Sequence, residues 1–120
     1  MTRAELEALA VRVETEESSR ELLEVIALAL GWTRRQVKAH TTQPWLMPDG
    51  SKSVLPSWLT SLDAVVTLMD GKCEWSVDDG GESFVRHVKT KATGGGLAMD
   101  RPAAGLLAGY LRALAQEREG

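Results

Sequence analysis

Residues 73–89 read CEWSVDDGGESFVRHVK, and their pattern predicts the β-structure around which the fold is built. Cys73, Trp75 and Val77 alternate with polar residues, which is the two-residue period of a strand with one buried face. A second alternating run covers 84–89, and the acidic, glycine-containing stretch 78–81 between the runs is typical of a tight turn. The stretch therefore predicts a β-hairpin over 73–90, with Trp75 expected in the core.

Four further segments place apolar residues at helical spacing, so that each would bury one face. Each follows a side chain that can act as an N-cap, and the first two caps have a glutamate three residues later, the spacing of a capping box. The predicted caps are Thr2, Ser18, Ser61 and Asp100. The predicted helices cover 3–15, 20–30, 61–69 and 101–117. Gly105 and Gly109 on the last helix are four residues apart, which predicts close packing of that helix on the sheet.

The stretch 32–56 shows neither the helical nor the strand period of apolar residues, because three prolines and an Asp-Gly pair interrupt it. We expect a long ordered loop with Trp45 inside it and Trp58 just beyond it. Long loops are either functional or held down by their own side chains. Core anchoring by the two tryptophans is one interpretation, and a protein-binding surface made of Trp45, Leu46 and Trp58 is the other.

Composition narrows the function classes. The chain has 120 residues, 43% hydrophobic and 26% charged, which favours one globular domain over 1–120. A net charge of -3 argues against general binding to nucleic acid. The longest apolar run, 25–30, is too short to span a bilayer, and a lone Cys73 favours a reducing cytoplasm.

The strongest candidate for a ligand site is a segment with two lysines and three glycines ahead of the last predicted helix. Its members are Lys89, Lys91, Gly94, Gly95 and Gly96. We expect 91–98 to be flexible, and the amides of a glycine loop beside lysines can bind an anion. The segment matches no P-loop, however, and a plain linker is the alternative.

The remaining reactive side chains predict neither a metal site nor catalysis. His87 is expected beside Cys73 on the neighbouring strand, but one cysteine and two histidines lack the spacing of a ligand set. No spacing indicates a nucleophile, a base and a charge stabiliser in one pocket. We therefore expect no cofactor, no metal and no enzymatic activity.

Several segments, taken in order, resemble the phage ABA sandwich family. They read ELLEVIALALGW at 21–32, WLMPDG at 45–50 and TSLDAVVTLM at 60–69, and the resemblance continues through Trp75 and the alanine-rich 102–114. It implies a phage or prophage origin and an α+β fold, a three-layer α/β/α sandwich around a small antiparallel sheet that contains the 73–90 hairpin. It implies no assigned reaction.

Two functional hypotheses follow. The first is a non-enzymatic phage accessory protein that binds an unidentified host or phage protein in the bacterial cytoplasm, for which interference with host defence would fit. The second is a small binding protein for a nucleotide or another anionic metabolite, acting through 89–96. The sequence leaves the oligomeric state open, because a small sheet with free edges can pair edge to edge or be covered by a loop.

Overall fold

The computed structural model describes residues 2–34, 45–98 and 100–118. Its elements are α1 Arg3–Thr15, α2 Arg20–Ala29, β1 Thr33–Arg34, β2 Trp45–Leu46, β3 Lys52–Ser53, α3 Leu62–Met69, β4 Cys73–Val77, β5 Glu82–His87, β6 Thr93–Leu97 and α4 Pro102–Glu117. Four helices and two antiparallel three-stranded sheets confirm the predicted α+β class. The chain divides into two compact units, unit 1 being Met1–Ser18 with Ser57–Gly120 and unit 2 being Ser19–Pro56. One domain over 1–120 stays a prediction.

The sheet of unit 1 has the order β4-β5-β6, and its first two strands are the predicted hairpin. The turn between them is held by the Asp78 carboxylate, which accepts hydrogen bonds from the amides of Gly80 and Glu82, both at 2.9 Å. The third strand contradicts the expectation that 91–98 is flexible, because 93–97 pair with β5 along their length. The glycine segment is therefore an edge strand and not a loop.

Glycines on both sides explain how α4 packs on β5 and β6. A Cβ at Gly94 would lie 2.5 Å from the backbone nitrogen of Ala113 and nearer still to the carbonyl oxygen of Gly109. A Cβ at Gly96 would clash in the same way with the carbonyl oxygen of Gly105. Only glycine lets the two backbones approach this closely. The predicted packing of Gly105 and Gly109 on the sheet is confirmed.

The core of unit 1 forms between α4, the sheet, α1 and α3. Its largest fully buried side chains are Leu6, Val13, Trp58, Val65, Met69, Val85, Leu106, Leu107 and Leu111. Helix α1 begins with the predicted capping box, in which Thr2 and Glu5 exchange side-chain and backbone hydrogen bonds. Ser61 caps α3 as predicted, with its hydroxyl accepting from the amide of Ala64 at 3.3 Å.

The predicted cap of α4 is wrong. Arg101 occupies the N-cap position and no side chain caps the helix, so Asp100 does not have this role. The Arg101 guanidinium instead donates to the carbonyl oxygens of Glu14 at 2.5 Å and Glu16 at 2.6 Å. These are carbonyls at the end of α1 that lack helical partners. The start of α4 is thus fixed by a contact with α1.

The two faces of the β4-β5-β6 sheet differ. The inner face, which includes Ser83 and Val85, is covered by α4, while the outer face carries Phe84 and Leu97, which are 47% and 52% exposed. Unit 1 by itself therefore has a helical layer on one face of its sheet. Trp75 pairs with Val85 and shares the inner face, yet it is 41% exposed, so its predicted burial is wrong. Helix α4 packs mainly over the glycines of β6, which leaves the opposite edge strand at the periphery.

Unit 2 contains α2 and the small sheet β1-β2-β3. Helix α2 is capped by Ser19, whose hydroxyl accepts from the amide of Leu22 at 3.1 Å, so the predicted cap at Ser18 is wrong by one residue. The irregular loop predicted over 32–56 is also wrong where it forms three two-residue strands. Residues 35–44 of that loop lie outside the described residues.

Candidate functional site

The tryptophans that were candidates for a binding surface are buried. Trp45 and Trp58 are each 1% exposed, and Leu46 is half-buried. The Arg34 guanidinium lies 5.6 Å from the centre of the Trp45 ring and also pairs with the Glu24 carboxylate at 2.5 Å. This burial agrees with the anchoring interpretation, and a protein-binding surface made of Trp45, Leu46 and Trp58 stays a prediction.

The predicted anion segment does not form the glycine loop on which such a site depends. Lys89 and Lys91 are exposed, but Gly94 and Gly96 pair with β5. Side chains of α1 and α4 bond one outward-pointing backbone group of each of the β6 residues Thr93, Gly95 and Leu97. Specifically, Thr93 N–H donates to Gln116 Oε1 (2.5 Å), Leu97 N–H donates to Glu14 Oε2 (2.6 Å), and Gly95 O accepts from Arg112 Nη1 (2.7 Å). We call this arrangement the sealed edge. Anion binding by 89–96 stays a prediction, without the glycine loop on which it depended.

An ion pair between α1 and α4 holds the sealed edge together. The Arg112 guanidinium donates to both carboxylate oxygens of Glu14, at 2.5 and 2.7 Å. Burial alone would raise the pKa of Glu14, but hydrogen bonds from Arg112 and from the Leu97 amide outweigh it and lower the pKa. The same ion pair raises the pKa of Arg112. No local sequence signal marked these residues, which are 98 positions apart.

His87 is occupied by the turn that follows β5. Its Nδ1 atom accepts hydrogen bonds from the amides of Lys89 and Thr90, both at 3.2 Å. An accepting Nδ1 carries no proton, so the 3.9 Å approach of Glu117 Oε1 to this atom is not a hydrogen bond. The Glu117 carboxylate accepts instead from the Thr90 hydroxyl at 2.7 Å. His87 therefore organises a turn.

Cys73 pairs with His87 across the strands, as predicted, but its environment does not activate the thiol. Burial raises the pKa of Cys73, the charge of Glu117 adds to the rise, and Lys72 opposes it. Reactive thiols have lowered pKa values in electropositive surroundings. Burial likewise raises the pKa of the nearby Tyr110 to about 12. Both groups are neutral at physiological pH.

Two negative findings apply to the described part of the chain. Within residues 2–34, 45–98 and 100–118, no three or more His, Cys, Asp or Glu side chains come together as ligands for a metal ion. Over the same residues, every helix falls short of the length and apolar character that a membrane crossing requires.

The outer face of the unit 1 sheet carries the most prominent exposed apolar side chains near a groove. Phe84 lies opposite Gly95, which has no side chain to cover the ring, and Leu97 is its diagonal neighbour on β6. Val11 of α1, 50% exposed, lines the same open groove of about 470 Å³ as Phe84. The other lining residues are Arg3, Glu7, Thr93, Gly94, Gly95, Arg112 and Gln116. We call Val11, Phe84 and Leu97 the outer-face patch.

The outer-face patch was missed at the level of sequence although a signal existed. Phe84 and Val85 are adjacent in a strand, so their side chains must point to opposite faces. One apolar side chain of the two is therefore exposed unless both faces are covered.

No protein-family model, curated protein or solved structure matches this chain. The resemblance to the phage ABA sandwich family accordingly stays a prediction, and function is argued from the surface of the molecule.

Proposed function

We propose that the protein is a non-enzymatic interaction module that binds a protein partner through the outer-face patch, in the phage or prophage setting that the resemblance implies. The observation that carries the proposal is the exposure of Phe84 and Leu97, at 47% and 52%, on the two strands whose opposite face is covered by α4. Scattered exposed apolar residues are ordinary, whereas neighbouring ones beside a groove are typical of interaction sites.

The patch can supply part of the free energy of binding. Fully burying an exposed phenylalanine or leucine side chain contributes about 1.5–3 kcal/mol, and aromatic residues are enriched in interface cores. Phe84 and Leu97 are each already about half buried, so covering both contributes about 1.5–3 kcal/mol in total. The association cost is at least about 4 kcal/mol, so a partner must also contact the groove beside Val11 and its polar rim.

The support beneath the patch is closely packed. Strand β6, which carries Leu97, packs against the α4 backbone at Gly94 and Gly96, and the Ser83 hydroxyl of β5, the strand of Phe84, donates to Gly105 O of α4 at 2.7 Å. The sealed edge fixes β6 from its other side through Glu14. A preorganised surface loses less entropy on binding than a mobile one.

The polar rim indicates the chemistry of the partner. Arg3, Glu7 and Arg112 line the groove beside Phe84, and the Arg112 charge is already paired with Glu14. Among the described residues Arg3 pairs with Glu7, at 3.4 Å with both side chains half exposed, so this pair can be exchanged at low cost. We expect a protein segment that inserts an apolar side chain beside Phe84 and presents a carboxylate to Arg3.

Affinity capture from bacterial cells tests this function. We compare the tagged protein with a Phe84→Ser, Leu97→Ser double variant and with a matched Leu28→Ser, Val54→Ser control. Leu28 and Val54 are 58% and 53% exposed and belong to unit 2, whereas the patch belongs to unit 1. The expected result is a partner that is retained by the control and lost by the patch variant, with equal urea unfolding midpoints. Retention by all three proteins would refute the proposal.

A further inference from the structure

The two edges of the unit 1 sheet are treated differently. At β6, one outward backbone group each of Thr93, Gly95 and Leu97 is bonded by the side chains of Gln116, Arg112 and Glu14 respectively, which form the sealed edge. An unpaired strand edge attracts other strands, and proteins protect edges that must stay single. Because β6 is protected, an unprotected β4 at the other edge would indicate a strand that can pair with another chain.

The β4 edge carries no such protection. The amide of Val88 donates to Lys72 O at 2.9 Å and the amide of Asp78 donates to Glu82 O at 2.9 Å, so the even-numbered residues of β4 bond to β5. The outward backbone groups belong to Cys73, Trp75 and Val77. In the described ranges 2–34, 45–98 and 100–118, no strand pairs with this edge and no side chain bonds to it. We call this the open edge.

Exposure agrees with an edge that a second chain can reach. Trp75 is 41% exposed at the centre of β4, and Glu74 and Ser76 on either side of it are exposed as well. An exposed tryptophan in an unprotected edge strand is a feature that monomeric proteins avoid.

We propose that the occupant of the open edge is a second copy of this chain, with β4 pairing antiparallel to its counterpart across a twofold axis at Trp75. The two sheets then join into one of six strands. This register places Cys73 opposite Val77, Glu74 opposite Ser76 and Trp75 opposite its own copy. The proposal goes beyond the proposed function and does not depend on it.

Charge complementarity and full overlap of β4 together favour this partner and this register. The symmetric pairing brings Lys72 of each copy opposite Asp78 of the other, so a pair of opposite charges lies at each end of the paired strands. Opposite charges on facing strands stabilise a pair and like charges destabilise it. An axis at Glu74 would set that carboxylate against its own copy, and an axis at Ser76 would set Glu74 against Asp78. An axis at Cys73 would set Lys72 against Glu74 but would leave the last two residues of β4 unpaired, whereas the axis at Trp75 pairs all five residues and adds an aromatic pair.

The pairing also has a geometric consequence. A twofold axis through an antiparallel strand pair is perpendicular to the sheet, so the outer faces of both copies lie on the same side. A dimer of this kind presents two outer-face patches in one plane. Such a surface suits a partner that repeats, because linked contacts raise the apparent affinity.

Cysteine pairing tests the register directly. In the Cys73→Ser background we prepare Glu74→Cys and Ser76→Cys variants of the full chain, oxidise each alone and then the mixture. Facing residues that do not exchange hydrogen bonds lie about 4.5 Å apart between Cα atoms, a distance a disulfide can bridge. The proposed register predicts a disulfide dimer only in the mixture. A dimer from either variant alone, or none from the mixture, would overturn it.

Sedimentation equilibrium of the unmodified protein supplies the second readout. We expect a dimer whose dissociation constant rises about tenfold in Lys72→Glu, where attraction at both ends becomes repulsion. Lys89→Glu is the control, because it changes the net charge equally and lies outside β4. A monomer at the highest soluble concentration, or an equal loss in both variants, would contradict the proposal.

Discussion

Replacing Gly94 by alanine should strongly destabilise the protein, because the new methyl group has no room. It would lie 2.5 Å from Ala113 N and 2.8 Å from Arg112 Cβ, and closer still to Gly109 O. To reach ordinary van der Waals separation, α4 must retreat from β6 by about 1 Å. Inserting a methyl group into a packed core costs about 1–3 kcal/mol, and we expect about 3 kcal/mol here because the obstacles are backbone atoms.

Gly95→Ala is the matched control for this prediction. Its Cβ would point to the outer face and meet only the carbonyl oxygen of Ser83, at 3.4 Å. The substitution also lowers the entropy of the unfolded chain, so its effect should stay within about 1 kcal/mol and can be stabilising. Urea unfolding followed by tryptophan fluorescence measures both variants. With a slope of about 1.5 kcal/mol per molar urea, Gly94→Ala should unfold about 2 M earlier than the natural protein. Equal midpoints for Gly94→Ala and Gly95→Ala would show that the glycines do not act by close packing.

Three further outcomes are expected. The pKa of Glu14 is lowered in the folded state. Its contribution to the free energy of unfolding is therefore complete above the unfolded-state pKa of about 4.3, and it is lost as the pH falls through the folded-state pKa. Glu14→Gln should therefore cost about 1–2 kcal/mol at pH 7 and less at low pH in urea titrations, and a pH-independent cost would contradict the ion pair. Because the pKa of Tyr110 is about 12, the ultraviolet signal of its phenolate should appear well above pH 10 in the folded protein, and its midpoint should fall to about pH 10 on unfolding. A titration midpoint at about pH 10 in the folded protein would contradict the burial of Tyr110. Arg101→Ala should destabilise by about 1–2 kcal/mol while Asp100→Ala stays within about 0.5, and the reverse order would restore Asp100 as the cap.

The local parts of the fold could be predicted because their causes are local. The capping box of Thr2 with Glu5 and the cap at Ser61 depend on residues three positions apart, and both are confirmed. The hairpin depends on alternation and a turn, and it forms as predicted. The capping-box spacing placed the cap of α2 at Ser18, one residue too early, because Ser19 has the same hydroxyl and can cap the helix equally well.

The errors share a different cause, which is packing between distant segments. Three consecutive glycines resemble a flexible linker, and only the backbone of α4 explains why Gly94 and Gly96 belong in a strand. Glu14 pairs with Arg112 and so joins α1 to α4, but the sequence pattern of neither helix predicts this ion pair. The exposure of Trp75 follows from the position of α4, which no local pattern encodes.

The candidate site was predicted less well than the fold. Tryptophan chemistry suits both a core and a binding surface, so Trp45 and Trp58 could not be assigned before their burial was known. Phe84 was detectable through alternation, but choosing it required knowing which face α4 covers. The proposed function therefore rests on the layer arrangement and not on a motif.

Site-specific photo-crosslinking in bacterial cells tests the proposed contact surface most directly. A photoreactive phenylalanine analogue is introduced at Phe84, or as a control at Leu28, which is somewhat more exposed (58% against 47%), and adducts are identified by mass spectrometry. We expect a discrete adduct with another protein from position 84 and none from position 28. An adduct from position 28 with none from position 84 would show that the partner binds elsewhere.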